Sequence, residues 1–251
     1  MADATKFPPA NGGFEKYGGN PVFGNREMGT CFDLIVLPGQ NFGYRYKMYF
    51  SWRPKKSIAM SLSDDGITWT QPEIMLEPNY DSGWEDDINR CAAVEKDGKL
   101  HMWYTGQAHG NSWIGYACSD IGSGGGTDLR RVGEPVIIPE QPWENMSVMN
   151  PWVLWDEERK IYRMWYSAGE TYEPNVICQA TSPDGLNWRK HRANPIFTKA
   201  PHNAYERDRI GGCQVLPYKG GYLMFYIGYE DIDTAYLRGV VPGRGLALEA
   251  F

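Results

Sequence analysis

The chain has 251 residues and a net charge of −6, and 42% of its residues are hydrophobic, which is ordinary for a globular protein. No apolar run approaches the length of about 18 residues that a membrane-spanning helix needs, and an acidic chain is a poor match for nucleic acid or anionic lipid. Aromatic residues make up 14% of the chain, beside 29 Gly and 17 Pro, a composition that favours short strands joined by tight turns. The composition therefore predicts a soluble, all-β protein.

A methionine followed by two aromatic residues recurs four times along the chain. The motif reads Met48-Tyr49-Phe50, Met102-Trp103-Tyr104, Met164-Trp165-Tyr166 and Met224-Phe225-Tyr226, at intervals of 54, 62 and 60 residues. A short apolar stretch and a turn precede each motif, and a further strand-like stretch and a turn follow it. Four short strands in each unit of about 55–60 residues are typical of a β-propeller blade.

The repeats predict a single β-propeller domain over residues 1–251. Its blades of four strands are expected at about 25–78, 79–139, 140–199 and 200–251. Residues 14–23 match residues 188–197 almost position for position, so residues 14–24 are predicted to form the outer strand of a closing blade.

The fourth repeat ends in a degraded turn over residues 240–248, so the ring is either five-bladed with an incomplete last blade or four-bladed. An incomplete blade would expose sheet edges, which a homo-oligomer would cover.

Two turns share the pattern Ser-x-Asp-Gly-x-x-Trp, at residues 63–69 and 182–188. Asp-Gly supplies a tight turn, and the tryptophan that follows is expected to pack between blades. The pattern thus favours a structural role for its members, which are Asp64, Asp65, Trp69, Asp184 and Trp188.

Over residues 14–238 the sequence resembles the five-bladed β-propeller glycosidases, meaning glycoside hydrolase family 43 and its relatives in families 32 and 130. The resemblance rests on the blade phrase Tyr-x-Met-Trp-Tyr-(Ser/Thr)-(Ala/Gly), the Ser-x-Asp-Gly-x-x-Trp turns and the Asn-Pro-aliphatic outer strands. It implies an enzyme that hydrolyses terminal sugars of small oligosaccharides, similar to a β-xylosidase or an α-L-arabinofuranosidase. A glycoside phosphorylase, a fructosidase and a non-catalytic sugar-binding propeller are the alternatives on the same scaffold.

The same resemblance implies carboxylates around the central axis of the ring. Asp33 begins the inner strand of the first blade, where a charge on an apolar strand is costly, and the resemblance makes it the general base or nucleophile. Either Glu206 or Asp208, in the fourth blade, would be the general acid. Asp87, in the second blade, is the candidate for a third carboxylate.

Two features bear on this assignment. Asn150 stands before Pro151 where relatives in family 43 often carry an aspartate, and its amide can bind a sugar but supplies no negative charge. A glutamate also recurs at equivalent places in three blades, as Glu85, Glu144 and Glu206, and such repetition is more typical of a structural role.

Further candidates for substrate binding lie on the predicted axis-side loops, since Trp rings stack on sugars and Arg binds hydroxyls or carboxylates. With Asn150 they are Arg90, Arg209, His109, Trp113 and Trp143. In a phosphorylase, Arg90, Arg207 and Arg209 would hold phosphate.

No histidine or cysteine spacing suggests a metal site, so no cofactor is predicted, although the resemblance allows an axial calcium ion. The first residues lack the pattern of a signal peptide, from which a cytoplasmic location is expected.

Overall fold

The computed structural model describes residues 17–39, 43–121, 127–170, 173–200, 202–231 and 235–240. Within these ranges the chain forms sixteen β-strands and four short 3-10 turns, and no α-helix. The prediction of an all-β protein is confirmed. In the part of the chain that the structure describes, there is no helix with the length and apolarity that crossing a membrane requires.

The strands follow one another in four units, which we number in chain order, and pairing within each unit is antiparallel. The first unit contains β1 (Cys31–Pro38), β2 (Tyr46–Trp52), β3 (Ser57–Ser63) and β4 (Glu73–Leu76). The second contains β5 (Asp87–Lys96), β6 (Lys99–Ala108), β7 (Asn111–Asp120) and β8 (Arg130–Arg131). The third contains β9 (Ser147–Asp156), β10 (Ile161–Glu170), β11 (Glu173–Ser182), β12 (Arg189–Lys190) and β13 (Phe197–Thr198). The fourth contains β14 (Arg209–Tyr218), β15 (Gly221–Tyr229) and β16 (Ala235–Val240), and the 3-10 turns are Arg53–Lys55, Tyr80–Ser82, Pro142–Glu144 and Ala204–Glu206.

Two-residue hairpins join the first and second strands of two units. Asp97 and Gly98 link β5 to β6 with φ angles of 51° and 73°, and Lys219 and Gly220 link β14 to β15 with 47° and 76°. A turn with positive φ at both positions matches the right-handed twist of the strands beside it. Glycine adopts that conformation without steric cost, which is why these turns end in Gly.

The Met-aromatic motifs form the second strand of each unit and supply much of the core. Trp103, Tyr104 and Tyr166 are each at most 1% exposed. The rings of Trp103 in the second unit and Tyr162 in the third lie 5.2 Å apart, so the core runs from one unit into the next. The prediction that these motifs belong to the core is confirmed for the first three, whereas in the fourth Tyr226 is buried and Met224 and Phe225 are partly buried.

The Ser-x-Asp-Gly-x-x-Trp turns are held by their own aspartates. The Oδ1 atoms of Asp65 and Asp184 each accept hydrogen bonds of 2.7–2.9 Å from the backbone N–H groups two and three residues later. Trp188 lies edge-on to Trp103 of the preceding unit, with ring centroids 5.9 Å apart. The predicted structural role of this motif is therefore confirmed for these residues.

The predicted outer strand over residues 14–24 is not formed in its described part. Residues 14–16 lie outside the described residues, and residues 17–24 form turns and bends. Two adjacent glycines and Pro21 explain the difference, because glycine weakens a strand and proline cannot donate to a ladder. The predicted turn over residues 241–248 also lies outside the described residues.

The packing of that segment nevertheless follows the repeat. Phe23 meets Phe50 edge-on with ring centroids 5.0 Å apart, and Phe197 meets Tyr226 edge-on at 4.8 Å. Phe50 and Tyr226 are the third residues of their Met-aromatic motifs. Phe23 therefore contacts the first unit as the outer strand of the third unit contacts the fourth.

Candidate active site

The first strands of all four units, β1, β5, β9 and β14, line one central cavity of about 610 Å³. This volume falls in the usual range for small-molecule sites. Its polar lining includes Asp33, Arg90, Asn150 and Arg209, so the structure brings four of the candidate site residues together.

One residue in each of these inner strands has a left-handed backbone at the equivalent position. The four, which we call the axial residues, are Asp33 (φ 49°), Arg90 (φ 51°), Asn150 (φ 55°) and Gly212 (φ 29°). The strand register shifts around three of them, as in a β-bulge, which re-aims side chains beside active sites. A left-handed conformation costs a residue other than glycine about 1–3 kcal/mol, and such strain concentrates at functional sites.

Asp33 and Arg90 form an ion pair across two units. The Nε atom of Arg90 lies 3.2 Å from Oδ2 of Asp33, whose side chain is 45% exposed and opens into the cavity. Burial raises the pKa of Asp33, and the charges of Arg90 and Arg53 partly oppose that rise. Asp33 is thus a carboxylate whose proton affinity depends on the two arginines.

Asn150 presents an acceptor that lacks a partner. Its Nδ2 donates a hydrogen bond of 3.3 Å to Oγ of Ser167, whereas its Oδ1 is buried with no hydrogen bond to any described residue. Leaving a buried acceptor unpaired costs about 1–3 kcal/mol. A ligand hydroxyl that donates to this oxygen would recover that energy.

Arg209 brings a second positive charge to the cavity wall. Its guanidinium lies 4.3 Å from the ring centre of Tyr229, another lining residue. Its Nη1 donates a hydrogen bond of 2.6 Å to Oδ2 of Asp208. Asp208 itself is not part of the lining and reaches the site through this ion pair.

Asp87 lies beside the site without lining it. Its Oδ1 accepts a hydrogen bond of 2.8 Å from Asn89, and its Oδ2 lies 3.5 Å from Nη1 of Arg53. Among the described residues, Asp33 is the one carboxylate in the cavity lining.

Glu206 has a different environment, which it shares with its counterparts in two other units. Its side chain is 3% exposed, and Asn203 donates a hydrogen bond of 2.8 Å to it. In each of these three units the glutamate accepts a hydrogen bond from the tyrosine that ends the Met-aromatic motif. The pairs are Glu85 with Tyr104 (2.6 Å), Glu144 with Tyr166 (2.9 Å) and Glu206 with Tyr226 (3.4 Å). Glu206 does not line the cavity, and its repeated contact indicates a structural role.

Three other candidates lie away from the cavity. His109 is exposed in the hairpin between β6 and β7. Trp113 lies in the third strand of its unit and packs near Trp84, with ring centroids 6.3 Å apart. Trp143 is 37% exposed in a 3-10 turn. None of the three lines the cavity, so they do not join the axial residues.

Within the described ranges, no group of three or more His, Cys, Asp or Glu side chains is arranged to hold a metal ion. The five cysteines are free thiols. Two of them, Cys91 and Cys213, line the cavity, and burial raises the pKa of each to about 12.

The family profile described as the glycosyl hydrolases family 32 N-terminal domain matches residues 40–207, which is more than half of the chain. The chain belongs to this family. The match begins after Asp33 and includes Arg90 and Asn150, so two of the four axial residues lie within the matched region.

The chain is also similar to two individual proteins. The chain is 24% identical over 211 residues to Rv1502, an uncharacterized protein of Mycobacterium tuberculosis, a match that covers 80% of this chain and 68% of the relative. It is 28% identical over 163 residues to a β-1,2-mannobiose phosphorylase of Thermoanaerobacter sp., covering 57% of this chain and 50% of the relative.

A solved structure shows the same fold. Zg3597, a family 117 glycoside hydrolase of the marine bacterium Zobellia galactanivorans, matches with a TM-score of 0.60 at 15% identity, over 84% of this chain and 65% of that protein. Together with the family profile, this confirms the resemblance to the propeller glycosidase superfamily.

No role was predicted for three hydroxyls that contact the axial residues. They belong to Ser51, Thr105 and Ser167. Each occupies the Ser/Thr position directly after the Met-aromatic motif, so the repeat marked the position but gave no sign of the contact.

Proposed function

We propose that this protein is a glycoside hydrolase that removes terminal sugars from small oligosaccharides, with Asp33 as its general base or nucleophile. The observation that carries the proposal is the position of Asp33, the one described carboxylate lining the central cavity, beside Arg90. Cleavage of a glycosidic bond passes through an oxocarbenium-like state, which needs an ionised carboxylate near the anomeric carbon. Membership of a glycosyl hydrolase family supports the same reaction class.

We assign Asp208 as the general acid in preference to Glu206. Glu206 is buried and accepts hydrogen bonds from Asn203 and Tyr226, whereas Asp208 is 41% exposed and adjoins a cavity residue, Arg209. To act as the acid, Asp208 must leave its ion pair with Arg209, which favours the ionised form, and turn toward the cavity. In this scheme the acid donates its proton to the leaving glycosidic oxygen, while Asp33 takes a proton from water or attacks the anomeric carbon.

The roles of the two proposed acids differ in a way that kinetics can separate. A p-nitrophenolate leaving group departs without protonation, so Asp208→Asn should retain most activity on p-nitrophenyl glycosides and lose it on the matching disaccharides. Glu206→Gln should retain activity on both. Loss of activity on the disaccharides alone, in a folded Glu206→Gln variant, would reassign the acid to Glu206.

The sugar is proposed from the resemblance, as xylose in β linkage or arabinofuranose in α linkage. The first test is hydrolysis of p-nitrophenyl β-xyloside, α-L-arabinofuranoside and β-mannoside by the native protein and by Asp33→Asn. We expect Asp33→Asn to lose about 10²–10⁴-fold in rate. Asp128→Asn, at an exposed ion pair, is the matched control. Undiminished turnover by a folded Asp33→Asn variant would overturn the assignment.

A glycoside phosphorylase is the second candidate, and the charges of the cavity favour it. Two arginines line the cavity beside a single described carboxylate, and phosphate is a nucleophile that needs no general base. The likeness to a β-1,2-mannobiose phosphorylase points the same way. Activity on β-1,2-mannobiose that requires phosphate and releases a sugar 1-phosphate would establish this function in place of hydrolysis.

We further propose that the ring is of the five-bladed type, with residues 17–24 in the outer position of the closing blade, and that a second copy covers part of the first inner strand. The first point is supported by the equivalent edge-on contacts that Phe23 makes with Phe50 and that Phe197 makes with Tyr226. Val36, which is 47% exposed on β1 and does not line the cavity, supports the second. Light scattering should give a dimer or larger assembly that Val36→Ser weakens, and a monomer at all concentrations would contradict it.

A further inference from the structure

Two hydrogen bonds of the same kind connect neighbouring units at the cavity. The backbone N–H of Arg90 donates to Oγ of Ser51 at 2.7 Å, and the backbone N–H of Asn150 donates to Oγ1 of Thr105 at 3.0 Å. Both donors are axial residues, and both acceptors follow the Met-aromatic motif of the preceding unit. The contact therefore occurs twice, between units one and two and between units two and three.

These hydroxyls meet a need that the axial backbone creates. At a bulge the extra residue leaves the strand ladder, so its N–H has no partner within the sheet. Ser51 and Thr105 are 1% and 0% exposed, so water does not compete for their oxygens. A serine or threonine hydroxyl can accept the hydrogen bond from the axial backbone N–H and still donate its own proton to another acceptor.

We propose that Ser51 and Thr105 are positioning residues of the active site, in which the hydroxyl of one unit fixes the left-handed axial residue of the next. Ser51 thereby holds Arg90 within ion-pair distance of Asp33, and Thr105 holds Asn150 at the cavity wall. The effect of this positioning on catalysis rests on the function proposed above. The positioning of Arg90 and Asn150 by the two hydroxyls does not depend on that function.

The charges around Asp33 make the effect of Ser51 measurable. Arg90 at 3.2 Å and the charge of Arg53 both favour the ionised form of Asp33, while burial opposes it. Cys91, which follows Arg90 in the same strand, is a buried thiol whose pKa is raised. Arg209 is the remaining charged residue of the described lining. Displacing Arg90 should therefore raise the pKa of Asp33.

The test compares Ser51→Ala with two matched variants. Ser51→Thr restores a hydroxyl of the kind that Thr105 provides in the next unit. Ser61→Ala removes another buried serine hydroxyl, one with no hydrogen-bond partner among the described residues. The readout is an NMR titration of the Asp33 side-chain carboxyl carbon, assigned by its absence from Asp33→Asn.

We expect Ser51→Ala to raise the pKa of Asp33 by about 1 unit, and Ser51→Thr and Ser61→Ala to leave it unchanged. An unchanged pKa in a folded Ser51→Ala variant would overturn the proposal for this pair. Amide hydrogen exchange of Asn150 in Thr105→Val gives a second measurement that does not depend on Ser51→Ala folding. Exchange should be several-fold faster than in the native protein, and an equal rate would overturn the proposal for the second pair.

These outcomes are separable from the proposed function. A raised pKa in Ser51→Ala together with full turnover by Asp33→Asn would retain the positioning and reject Asp33 as a catalytic residue. An unchanged pKa of Asp33 in Ser51→Ala together with an inactive Asp33→Asn would reject the positioning by Ser51 and retain Asp33 as a catalytic residue.

Discussion

The indole N–H of Trp103 donates a hydrogen bond of 2.8 Å to the carbonyl oxygen of Gly185. Trp103 belongs to the second unit and is fully buried, whereas Gly185 lies in the Ser-x-Asp-Gly-x-x-Trp turn of the third unit. The two recurrent sequence motifs are therefore joined to each other across a unit boundary. This contact makes both motifs part of the scaffold that joins the second unit to the third.

Trp103→Phe should lower the free energy of unfolding measurably. The substitution removes one of the two indole N–H donors to the buried carbonyl of Gly185, the other being that of Trp188 at 2.9 Å. It also opens a cavity at a fully buried site, and together the two changes should cost about 1–3 kcal/mol. Trp143→Phe, at a partly exposed indole, is the control and should change stability by about 0.5 kcal/mol or less. Urea unfolding of the two variants measures both free energies of unfolding. Equal losses of stability would contradict a stabilising contact between Trp103 and the third unit.

Glu144→Ala should be among the most destabilising single changes outside the aromatic core. Its carboxylate is buried and accepts hydrogen bonds from Lys190 at 2.7 Å and from Tyr166 at 2.9 Å. Removing one partner of a buried ion pair costs about 3–5 kcal/mol, and the second ion pair of Lys190, with Glu140 at 3.2 Å, places the expected loss at the lower end of that range. Chemical denaturation checks the value, with the exposed Glu158→Ala as control. A loss below about 1 kcal/mol would show that Glu140 alone is a sufficient partner for Lys190.

Phe23→Ala and Phe197→Ala should destabilise the protein by similar amounts, about 1–3 kcal/mol each. Both rings are partly buried and meet the same motif position edge-on, at 5.0 and 4.8 Å. Partial burial places the cost below that of a fully buried phenylalanine. Thermal unfolding of the two variants tests the equivalence of the two segments. If Phe23→Ala were neutral while Phe197→Ala was not, residues 17–24 would not hold the outer-strand position.

The fold was predictable because its signals repeat. Each Met-aromatic motif occupies a second strand, and Asp184 and Trp188 have the roles that their pattern indicates. Repetition also marks what is structural, and Glu206 shares its tyrosine contact with two other glutamates for that reason. A residue that recurs in several units is held by the scaffold that those units share.

The site was predictable where a residue departs from the repeat at a fixed place. Asp33, Arg90 and Asn150 differ in chemistry while occupying one position of the inner strand. Their left-handed backbone could not be read from the sequence, because residues other than glycine seldom adopt it. His109 and Trp113 were predicted to lie at the cavity and do not. Neither occupies a position that recurs in the inner strands, so the repeat gave no indication of whether they face the cavity.

The Asp65 turn should stabilise the protein above its own pKa. Hydrogen bonds from the backbone N–H groups of Thr68 and Ile67 lower the pKa of Asp65 to about 2, from an ordinary value of 3.8. A carboxyl with a depressed pKa contributes stability that is present above pH 3.8 and is lost as the pH falls toward 2. Asp65→Asn should therefore flatten the decline of stability below pH 4. Urea unfolding at pH 5 and pH 3 measures the change, and the neighbouring Asp64→Asn should retain the native slope.

Arg90→Gln should shift the pH dependence of turnover to higher pH. Arg90 is one of two arginines that oppose the raised pKa of Asp33, so its removal leaves burial less opposed and raises that pKa further. Catalysis by ionised Asp33 is lost as the pH falls through its pKa, so the acidic limb of the rate profile should move upward by about 1 unit. Arg130→Gln, at an exposed ion pair, should leave the limb in place. An unmoved limb in an active Arg90→Gln variant would mean that a group other than Asp33 titrates there, and that the ion pair across the two units does not set the charge of the catalytic carboxylate.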